Sequence, residues 1–314
     1  MAFSDNIKDS LVREECKWEC CARAELAAAI LLSGGIAFHG FGKLSLSVFT
    51  WHNSVSRYYF SLIKKFFGIT CQIRTYKTEQ LNKRTRFELS IPNEDVDTLM
   101  DKLMLRDAEA LFGVRSVPNA EIIQKGCCRA AFLKSAFLIS GSVSSPEKSY
   151  AFTIACGNRV LADFALSVMQ GYIQGGNVSR RRSQFVAYSK GADAVSALLS
   201  AIGAYGAVME LENVRILKDF KNSANRLVNC DNNNIERTIS SARTQIEAIR
   251  FLDEKIGIDN LPIWAKEIAR LRLEETEATL TELGEMCDPP IGKSGVNNRL
   301  RRICELAQKL KTDE

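Results

Sequence analysis

The sequence repeats the stretch Cys20-Cys21-Ala-Arg-Ala-Glu-Leu-Ala-Ala-Ala-Ile-Leu-Leu-Ser-Gly-Gly-Ile36 as Cys127-Cys128-Arg-Ala-Ala-Phe-Leu-Lys-Ser-Ala-Phe-Leu-Ile-Ser-Gly-Ser-Val143. The two copies align without a gap, and 8 of their 17 positions are identical. Each copy is rich in Ala and Leu and stops at glycine, which is typical of a helix. A repeat at a constant spacing indicates two structural units with the same fold.

The residues after each copy also correspond. An alternating apolar run, Leu44–Val48 in the first half and Tyr150–Ile154 in the second, predicts a strand. A helix pattern follows, from Asn53 to Gly68 and from Asn158 to Gly171. The remaining strand and helix signals lie at Cys71–Tyr76, Arg86–Ile91, Phe185–Tyr188 and Val195–Ile202. We therefore expect an α+β fold of two αββαββα halves related by a pseudo-twofold axis.

Strand signals end near residue 205, and helical periodicity takes over. The sequence predicts an α+β domain over residues 1–206, with halves at about 1–126 and 127–206, and an all-α domain over residues 207–314. Within the second domain we expect an interruption at the polar stretch Asn222–Asn234 and helices at Ile239–Leu252 and Ile263–Leu273.

The net charge of +5 is unevenly distributed. Residues 1–206 hold 25 Lys and Arg against 18 Asp and Glu, whereas residues 207–314 hold 17 against 19. The first domain therefore offers a surface for phosphate groups, with a solvated basic face as the alternative. The longest apolar run, Leu26–Leu32, is too short to cross a bilayer, and the charged residues 1–19 lack the apolar stretch of a secretory signal. We expect a soluble, cytoplasmic protein with no membrane partner.

The chain holds ten cysteines, of which four form two adjacent pairs inside the repeated helices. Free thiols in apolar helices pack as small hydrophobic groups, so we interpret these cysteines as reduced core residues. A zinc site is the alternative interpretation. The sequence contains no CxxC pair, and its two histidines are His39 and His52. We therefore expect neither a metal nor another cofactor.

Both repeated helices carry small residues along one side. These are Ala24, Ala27 and Ala28 in the first helix and Ala131, Ser135 and Ala136 in the second. Small residues let two helices approach closely, so we expect a tight seam between the helices at the pseudo-twofold axis. The glycines that follow suit a C-terminal turn.

The repeated stretch resembles the LAGLIDADG motif of homing endonucleases. The resemblance implies a saddle-shaped sheet that lies along DNA, with a metal-binding carboxylate just before the Gly of each helix. Matching Leu26–Gly34 and Leu133–Gly141 to that motif places Ser33 and Ser140 at the two carboxylate positions. Neutral hydroxyls do not supply the charge that metal-assisted cleavage requires. We predict that the chain is not an enzyme.

Basic residues near the predicted hairpins are candidates for phosphate contacts. They are Arg74, Lys77, Lys83, Arg84 and Arg86 in the first half, with Tyr76 among them, and Arg180, Arg181 and Arg182 in the second. The alternative is a solvated hairpin face in each half.

The C-terminal segment carries the signals of a helix-turn-helix, over residues 279–310. Thr279-Leu-Thr-Glu282 is a capping box, and Leu280, Leu283 and Met286 form the expected apolar face of the first helix. Asp288-Pro289-Pro290 ends that helix. Ser294 is expected to cap a second helix, whose apolar stripe is Val296, Leu300, Ile303, Ala307 and Leu310.

The opposite face of this second helix is polar and basic. Asn can pair with adenine and Arg with guanine through two hydrogen bonds each. The candidate base-reading residues are Ser294, Asn297, Asn298 and Arg301, and the candidate phosphate contacts are Lys293, Arg299 and Arg302. A solvated basic helix in an ordinary bundle is the alternative.

Further matches identify the chain as similar to the WhiA-type sporulation and cell-division regulators of Gram-positive bacteria. The residues that carry this resemblance are Cys127–Leu133, Gly141–Val143, Glu210–Arg215, Asn225–Cys230, Asp288–Pro290 and Lys293–Asn297. The resemblance implies sequence-specific binding to double-stranded DNA, control of division and sporulation genes, and no nuclease activity. Association with the nucleoid and with a second transcription regulator is also expected. A scaffold protein of the chromosome without sequence preference and, more distantly, a metal-dependent nuclease are the alternatives.

Overall fold

The computed structural model describes residues 3–33, 35–39, 43–77, 85–110 and 113–312. The chain divides into two compact units, Met1–Lys218 and Asp219–Glu314.

The first unit contains the two predicted halves. After α1 (Phe3–Leu11), the same order of helix, two strands, helix, two strands and helix occurs twice. The first half consists of α2 (Glu19–Ser33), β1 (Ile36–His39), β2 (Lys43–Thr50), α3 (Asn53–Phe67), β3 (Gln72–Lys77), β4 (Thr85–Ser90) and α4 (Asn93–Lys102). The second half consists of α5 (Gly126–Ser140), β5 (Gly141–Val143), β6 (Ala151–Cys156), α6 (Arg159–Gln170), β7 (Asn177–Arg181), β8 (Gln184–Lys190) and α7 (Ala192–Ala201). The predicted αββαββα pattern is confirmed.

Each half forms one antiparallel sheet of four strands, in the orders β1-β2-β4-β3 and β5-β6-β8-β7. Because side chains alternate along a strand, the register divides each sheet into a core face and an open face. Val48 pairs with Leu89 and Ile154 with Ala187, and all four are fully buried beneath the helices. Their neighbours in sequence therefore lie on the open face.

Helices α2 and α5 pack against each other at the centre of the unit, as predicted. Ala24, Ala27 and Ala136 are fully buried in this seam. Ser135 of α5 donates a hydrogen bond of 2.6 Å to the Glu25 carbonyl of α2, and its hydroxyl is 2.6 Å from the Tyr59 hydroxyl. Close packing of small residues and a buried polar contact thus hold the two halves together.

The glycine after α5 has a different role from the one expected. Gly141 has an extended backbone, with φ −81° and ψ 154°, so the chain passes directly from α5 into β5 without a left-handed turn. A Cβ atom at this position would lie 2.5 Å from the Cα of Phe137. Glycine is needed here for the close approach of the strand to the helix end. The corresponding Gly34 lies outside the described residues.

The helix α8 (Tyr205–Ile256) is continuous over 52 residues, so the predicted interruption at Asn222–Asn234 is wrong. Residues 219–241 are exposed throughout. A helix segment that buries no face carries no apolar periodicity. Asn lowers helix stability by only a few tenths of a kcal/mol relative to other ordinary residues. Between Gly206 and Gly257 the chain has neither Gly nor Pro to break the helix.

The second unit is helical. Its helices after α8 are α9 (Ile263–Glu274), α10 (Leu280–Glu285) and α11 (Lys293–Thr312), with a 3₁₀ turn at Ile258–Asn260. Ile249, Ile268, Leu283, Leu300 and Ile303 are fully buried and form the centre of its core. Within the part of the chain that the structure describes, we find no helix long and apolar enough to span a membrane.

Candidate nucleic-acid interface

The capping box that begins α10 is present as predicted. The Thr279 hydroxyl accepts a hydrogen bond of 3.3 Å from the backbone N–H of Glu282. In return, the Glu282 carboxylate accepts one of 2.7 Å from the backbone N–H of Thr279. Leu283 is fully buried, but Met286 is 49% exposed. The prediction for Met286 is wrong because α10 ends at Glu285, and the buried Cys287 takes the expected place of the methionine.

The connection between α10 and α11 is tight. The backbone N–H of Ile291 donates a hydrogen bond of 2.9 Å to the carbonyl of Gly284, and a Cβ atom on Gly284 would lie 2.2 Å from the Ile291 carbonyl oxygen. Helix α11 starts at Lys293, with the carbonyl of Gly292 accepting from Gly295 and Val296. Ser294 is therefore not the N-cap but lies inside the first turn, since Gly292 tolerates the cap position.

Helix α11 has one buried and one exposed side. Val296, Leu300, Ile303 and Ala307 are at most 2% exposed, whereas Leu310 is 37% exposed because it extends beyond the core. The four candidate base-reading residues are all exposed: Ser294, Asn297, Asn298 and Arg301. Their spacings of three, one and three residues place them in one stripe along the helix.

The candidate phosphate contacts on α11 differ in their surroundings. Lys293 is exposed and Arg299 is half-buried. The guanidinium of Arg302 lies 4.1 Å from the ring centre of Trp264 on α9, a cation–π contact. Arg301, whose side chain is 70% exposed, is 3.5 Å from the Glu305 carboxylate one turn away.

The open face of the first sheet brings together three of the predicted residues. The register places Arg74 opposite Glu88 and Tyr76 opposite Arg86, all on the open face. The Tyr76 hydroxyl donates a hydrogen bond of 2.5 Å to the Glu88 carboxylate. The Arg86 guanidinium lies 4.0 Å from the ring centre of Phe49. Lys83 and Arg84 lie outside the described residues, and Lys77 belongs to the opposite side of β3 by the same alternation.

The three arginines of the second half do not share a surface. Arg180 pairs with Phe185 on the core side of the register, with its guanidinium 6.0 Å from the Phe185 ring centre. Arg181 pairs with Gln184 and lies on the open face. Arg182 occupies the turn of the hairpin with φ 54°. Strand alternation and the turn separate the three side chains.

A cavity of about 710 Å³ lies where α2 and α5 end, and residues from the open faces of both sheets line it. Ser33 and Ser140 line this cavity, and each hydroxyl donates a hydrogen bond of 3.3 Å to a backbone carbonyl of its own helix. The other polar lining residues are Ser4, Asp5, Lys8, His52, Arg86, Ser142 and Gln184. The two serines thus lie at the ends of the central helices, and two basic side chains line the cavity with one carboxylate.

Lys8 of α1 is the most deeply buried cation at this cavity, at 5% exposure. Its ammonium lies 5.7 Å from the ring centre of Phe137. Burial lowers the pKa of Lys8 to about 8, against the opposing effect of the Asp5 charge.

Three family models match the chain: the WhiA N-terminal LAGLIDADG-like domain over residues 19–106, the WhiA LAGLIDADG-like domain over residues 129–221 and the WhiA C-terminal HTH domain over residues 224–307. Relatives in Alkaliphilus metalliredigens and Heliobacterium modesticaldum, both named probable cell division protein WhiA, are 36% and 38% identical over 98% of this chain. The matches cover 98% and 96% of those relatives. The chain belongs to the WhiA family. The resemblance found in the sequence is therefore confirmed.

A solved structure has the same fold. The crystal structure of full-length DUF199/WhiA from Thermatoga maritima matches with a TM-score of 0.61 and 20% sequence identity, over 98% of this chain and 99% of that chain. The two WhiA LAGLIDADG-like segments cover most of the two repeated halves, and the WhiA HTH segment contains α9, α10 and most of α11. The predicted fold class, an α+β LAGLIDADG-like part and a helical HTH part, is confirmed.

Several residues of the WhiA-type HTH domain were missed by sequence reasoning. Trp264 stacks beneath Arg302, and no spacing of residues in the sequence predicts this contact between α9 and α11. Arg272 is 2% exposed and donates hydrogen bonds of 3.0 Å to the Gln245 side chain and 2.5 Å to the Ala278 carbonyl. It thereby fixes the residue just before the Thr279 cap. A buried arginine has no sequence signal that distinguishes it from the exposed arginines around it.

Proposed function

We propose that this WhiA-family protein binds double-stranded DNA in a sequence-specific manner through α11 and regulates transcription of cell-division and sporulation genes. The observation that carries the proposal is the exposed stripe Ser294, Asn297, Asn298 and Arg301 on a helix whose other side is buried in the core. The second helix of a helix-turn-helix presents such a stripe to the major groove. The names of the relatives, probable cell division protein WhiA, support a role in division.

The side chains of the stripe have the chemistry for reading base edges. Asn297 and Asn298, near the start of α11, can each donate and accept hydrogen bonds with adenine, and Arg301 can donate two to guanine. Ser294 lies one turn before Asn297 and Asn298 and can reach the same groove. The pairing of Arg301 with Glu305 is exposed, and an exposed ion pair contributes little, so DNA can displace it.

Lys293, Arg299 and Arg302 are our candidates for phosphate contacts beside the stripe. In the described part of the chain, no hydrogen bond or ion pair engages Arg302, whose guanidinium is stacked on Trp264. Such stacking restricts a long side chain without using its N–H donors, which suits a contact to phosphate. Phosphate contacts of this kind position the protein without reading sequence.

We assign a second, non-specific contact to the saddle formed by the open faces of the two sheets. Arg74, Arg86 and Arg181 lie on these faces and can meet the phosphate backbone. Arg180 is exposed, but the register places it on the other side of β7, away from the open face. The domain limits 1–206 and 207–314 remain our proposal for the division between this saddle and the helical DNA-binding domain.

We further propose that the protein has no nuclease activity. Ser33 and Ser140 offer neutral hydroxyls that are engaged with their own helix backbones. Lys8 and Arg86 line the same cavity, and their charges oppose the binding of a divalent cation. Incubation of supercoiled DNA with the full chain and Mg²⁺ or Mn²⁺ is expected to leave it uncut, and nicking that Ser33→Ala or Ser140→Ala abolishes would contradict this.

The experiment that tests the regulatory proposal is selection of bound fragments from random DNA by the full chain. One enriched motif is expected, whereas a chromosome scaffold without sequence preference would enrich none. Asn298→Ala and Arg301→Ala are then compared on the selected and a scrambled site, with the exposed Lys309→Ala as the control. Each base reader is expected to lose about 1–3 kcal/mol on the selected site only. Unchanged affinity ratios in both variants would exclude α11 as the reading helix.

Two further parts of the proposal concern the location of the protein in the cell and its protein partner. A DNA-binding regulator is expected at the nucleoid in the cytoplasm, and fluorescence of a tagged chain overlapping the chromosome tests this. A second transcription regulator is the proposed protein partner. We expect the two proteins to occupy the same promoters. Chromatin immunoprecipitation of both proteins at the same promoters is the measurement.

A further inference from the structure

The structure brings four cysteines together at the end of the α2–α5 seam opposite the cavity. Cys20 and Cys21 lie in the first turn of α2, and Cys127 and Cys128 lie in the first turn of α5. The four sulfur atoms all lie within 4.8 Å of one another. Among the described residues, no other group of three or more potential metal ligands converges in this way.

The spacing of the four sulfur atoms is close to that of a tetrahedral metal site. A Zn–S distance of about 2.3 Å places the sulfur atoms of a tetrahedron about 3.8 Å apart. The Cys127 and Cys128 sulfur atoms are 3.9 Å apart, and no pair among the four exceeds the tetrahedral spacing by more than about 1 Å.

Burial as small hydrophobic groups does not explain this cluster. Cys21 and Cys128 are buried, but Cys127 is exposed and Cys20 is half-buried. All four are free thiols, so no disulfide accounts for their proximity. An exposed corner also gives an ion a path into the site from solvent.

Both cysteine pairs lie at the N-terminus of a helix. The positive end of a helix macrodipole stabilises a thiolate. Helix α2 begins at Glu19 and α5 at Gly126, so both pairs lie within the first three residues of their helices. Two converging helix ends therefore offset part of the negative charge that four thiolates bring to a divalent cation.

We propose that Cys20, Cys21, Cys127 and Cys128 bind one zinc ion, which links the N-terminal ends of α2 and α5. Binding releases the four thiol protons to solvent and forms four zinc–sulfur bonds, with no change of oxidation state. Four sulfur ligands in a tetrahedron are typical of zinc or iron. The four thiols lie too close together to place a polynuclear iron–sulfur cluster between them without separating the helices.

A zinc ion at this place adds a function that DNA reading does not require. Each half supplies one adjacent pair from the repeated stretch, so a single ion on the pseudo-twofold axis joins the two halves. The ion would stabilise the seam, because it binds the folded unit and not the separated halves. Loss of zinc or oxidation of the thiols would then release this link.

The test uses the full chain, purified under reducing conditions without chelator. Mass spectrometry of metals is expected to find one zinc per chain. Replacement by Co²⁺ is expected to give the sulfur-to-cobalt charge-transfer absorption of four thiolates. Cys20→Ser and Cys127→Ser alter the two less buried thiols and should lose most metal, with the helical circular dichroism retained. The control Cys230→Ser removes an exposed thiol of α8 and should leave zinc content unchanged.

A second measurement keeps the proposal open to contradiction if a variant does not fold. In the unaltered chain, zinc should protect Cys127 from a thiol-alkylating reagent, and a chelator should restore its reactivity. Equal reactivity with and without chelator would overturn the proposal. So would zinc below one tenth of an equivalent with reduced thiols, iron in place of zinc, or a disulfide between Cys20 or Cys21 and Cys127 in the freshly isolated chain.

Discussion

Arg272 connects three parts of the HTH domain through hydrogen bonds to the Gln245 side chain and the Ala278 carbonyl. Arg272→Met keeps a long side chain but leaves both acceptors without their donor. The free energy of unfolding is expected to fall by about 1–3 kcal/mol, as measured by urea denaturation. Arg270→Met is the matched control, since Arg270 makes an exposed ion pair with Asp259 and should change stability little. Equal effects of the two substitutions would contradict the role of Arg272.

Lys8 is a second residue whose surroundings make a measurable prediction. Burial lowers the pKa of Lys8 from 10.5 to about 8, so the unfolded chain holds this proton more tightly than the folded one. The folded state therefore carries a penalty that is complete below about pH 8 and fades towards pH 10.5. Lys8→Met is expected to raise the free energy of unfolding at pH 7 by up to about 3 kcal/mol.

The control for Lys8→Met is Lys17→Met, at an exposed position, which should change stability little. The two variants are compared with the unaltered chain by urea denaturation at pH 7 and pH 10. The gain from Lys8→Met should shrink at the higher pH. A gain that is absent at pH 7, or constant with pH, would show that the ammonium of Lys8 is not desolvated in solution.

At the scale of the element, the capping box of α10 fixes the start of the helix that precedes the reading helix. Thr279→Ala removes one of its two reciprocal hydrogen bonds, and the unfolding free energy of the helical unit is expected to fall by about 1 kcal/mol. Thr281→Ala, an exposed position two residues later in the same helix, should be neutral or slightly stabilising because Ala favours helices. Thermal denaturation followed by circular dichroism measures both, and a neutral Thr279→Ala would show that the cap contributes nothing.

Some helices and strands could be predicted from the sequence and others could not. The repeated helices, the capping box and the glycine at the end of α3 depend on local chemistry, and Gly68 indeed takes the left-handed conformation with φ 72°. The continuity of α8 and the start of α11 were not found, because an exposed helix carries no apolar period and several residues can serve as its cap. Strand β7 carried no clear signal, since it is a short edge strand with arginines at positions 180 and 181.

In the whole chain, the sequence predicted the candidate residues that lie on a single helix. It did not predict the groups formed by residues from distant elements. The exposed stripe of α11 follows from periodicity alone. The cysteine cluster requires that the two copies of the repeat pack side by side with their first turns together, and the absence of a CxxC pair led us to expect no metal. The alignment of Cys20 and Cys21 with Cys127 and Cys128 was the signal, because a pseudo-twofold axis between two helices brings equivalent residues together.

The proposed saddle contact makes a prediction that separates two adjacent arginines. A protein that neutralises one more phosphate releases counterions, and its binding constant then depends more steeply on salt. Arg181 lies on the open face, whereas Arg180 packs beside Phe185 on the other side of β7. Arg181→Ala is expected to flatten the slope of log K against log salt concentration by about 0.9, with selectivity between DNA sites unchanged. Arg180→Ala should leave the slope as it is.

Fluorescence anisotropy between about 50 and 200 mM salt measures the slope for both variants, over the range in which phosphate contacts change affinity strongly. If the two variants flatten the slope equally, strand alternation does not determine the contact, and if neither does, the second sheet does not touch DNA and α11 binds without it.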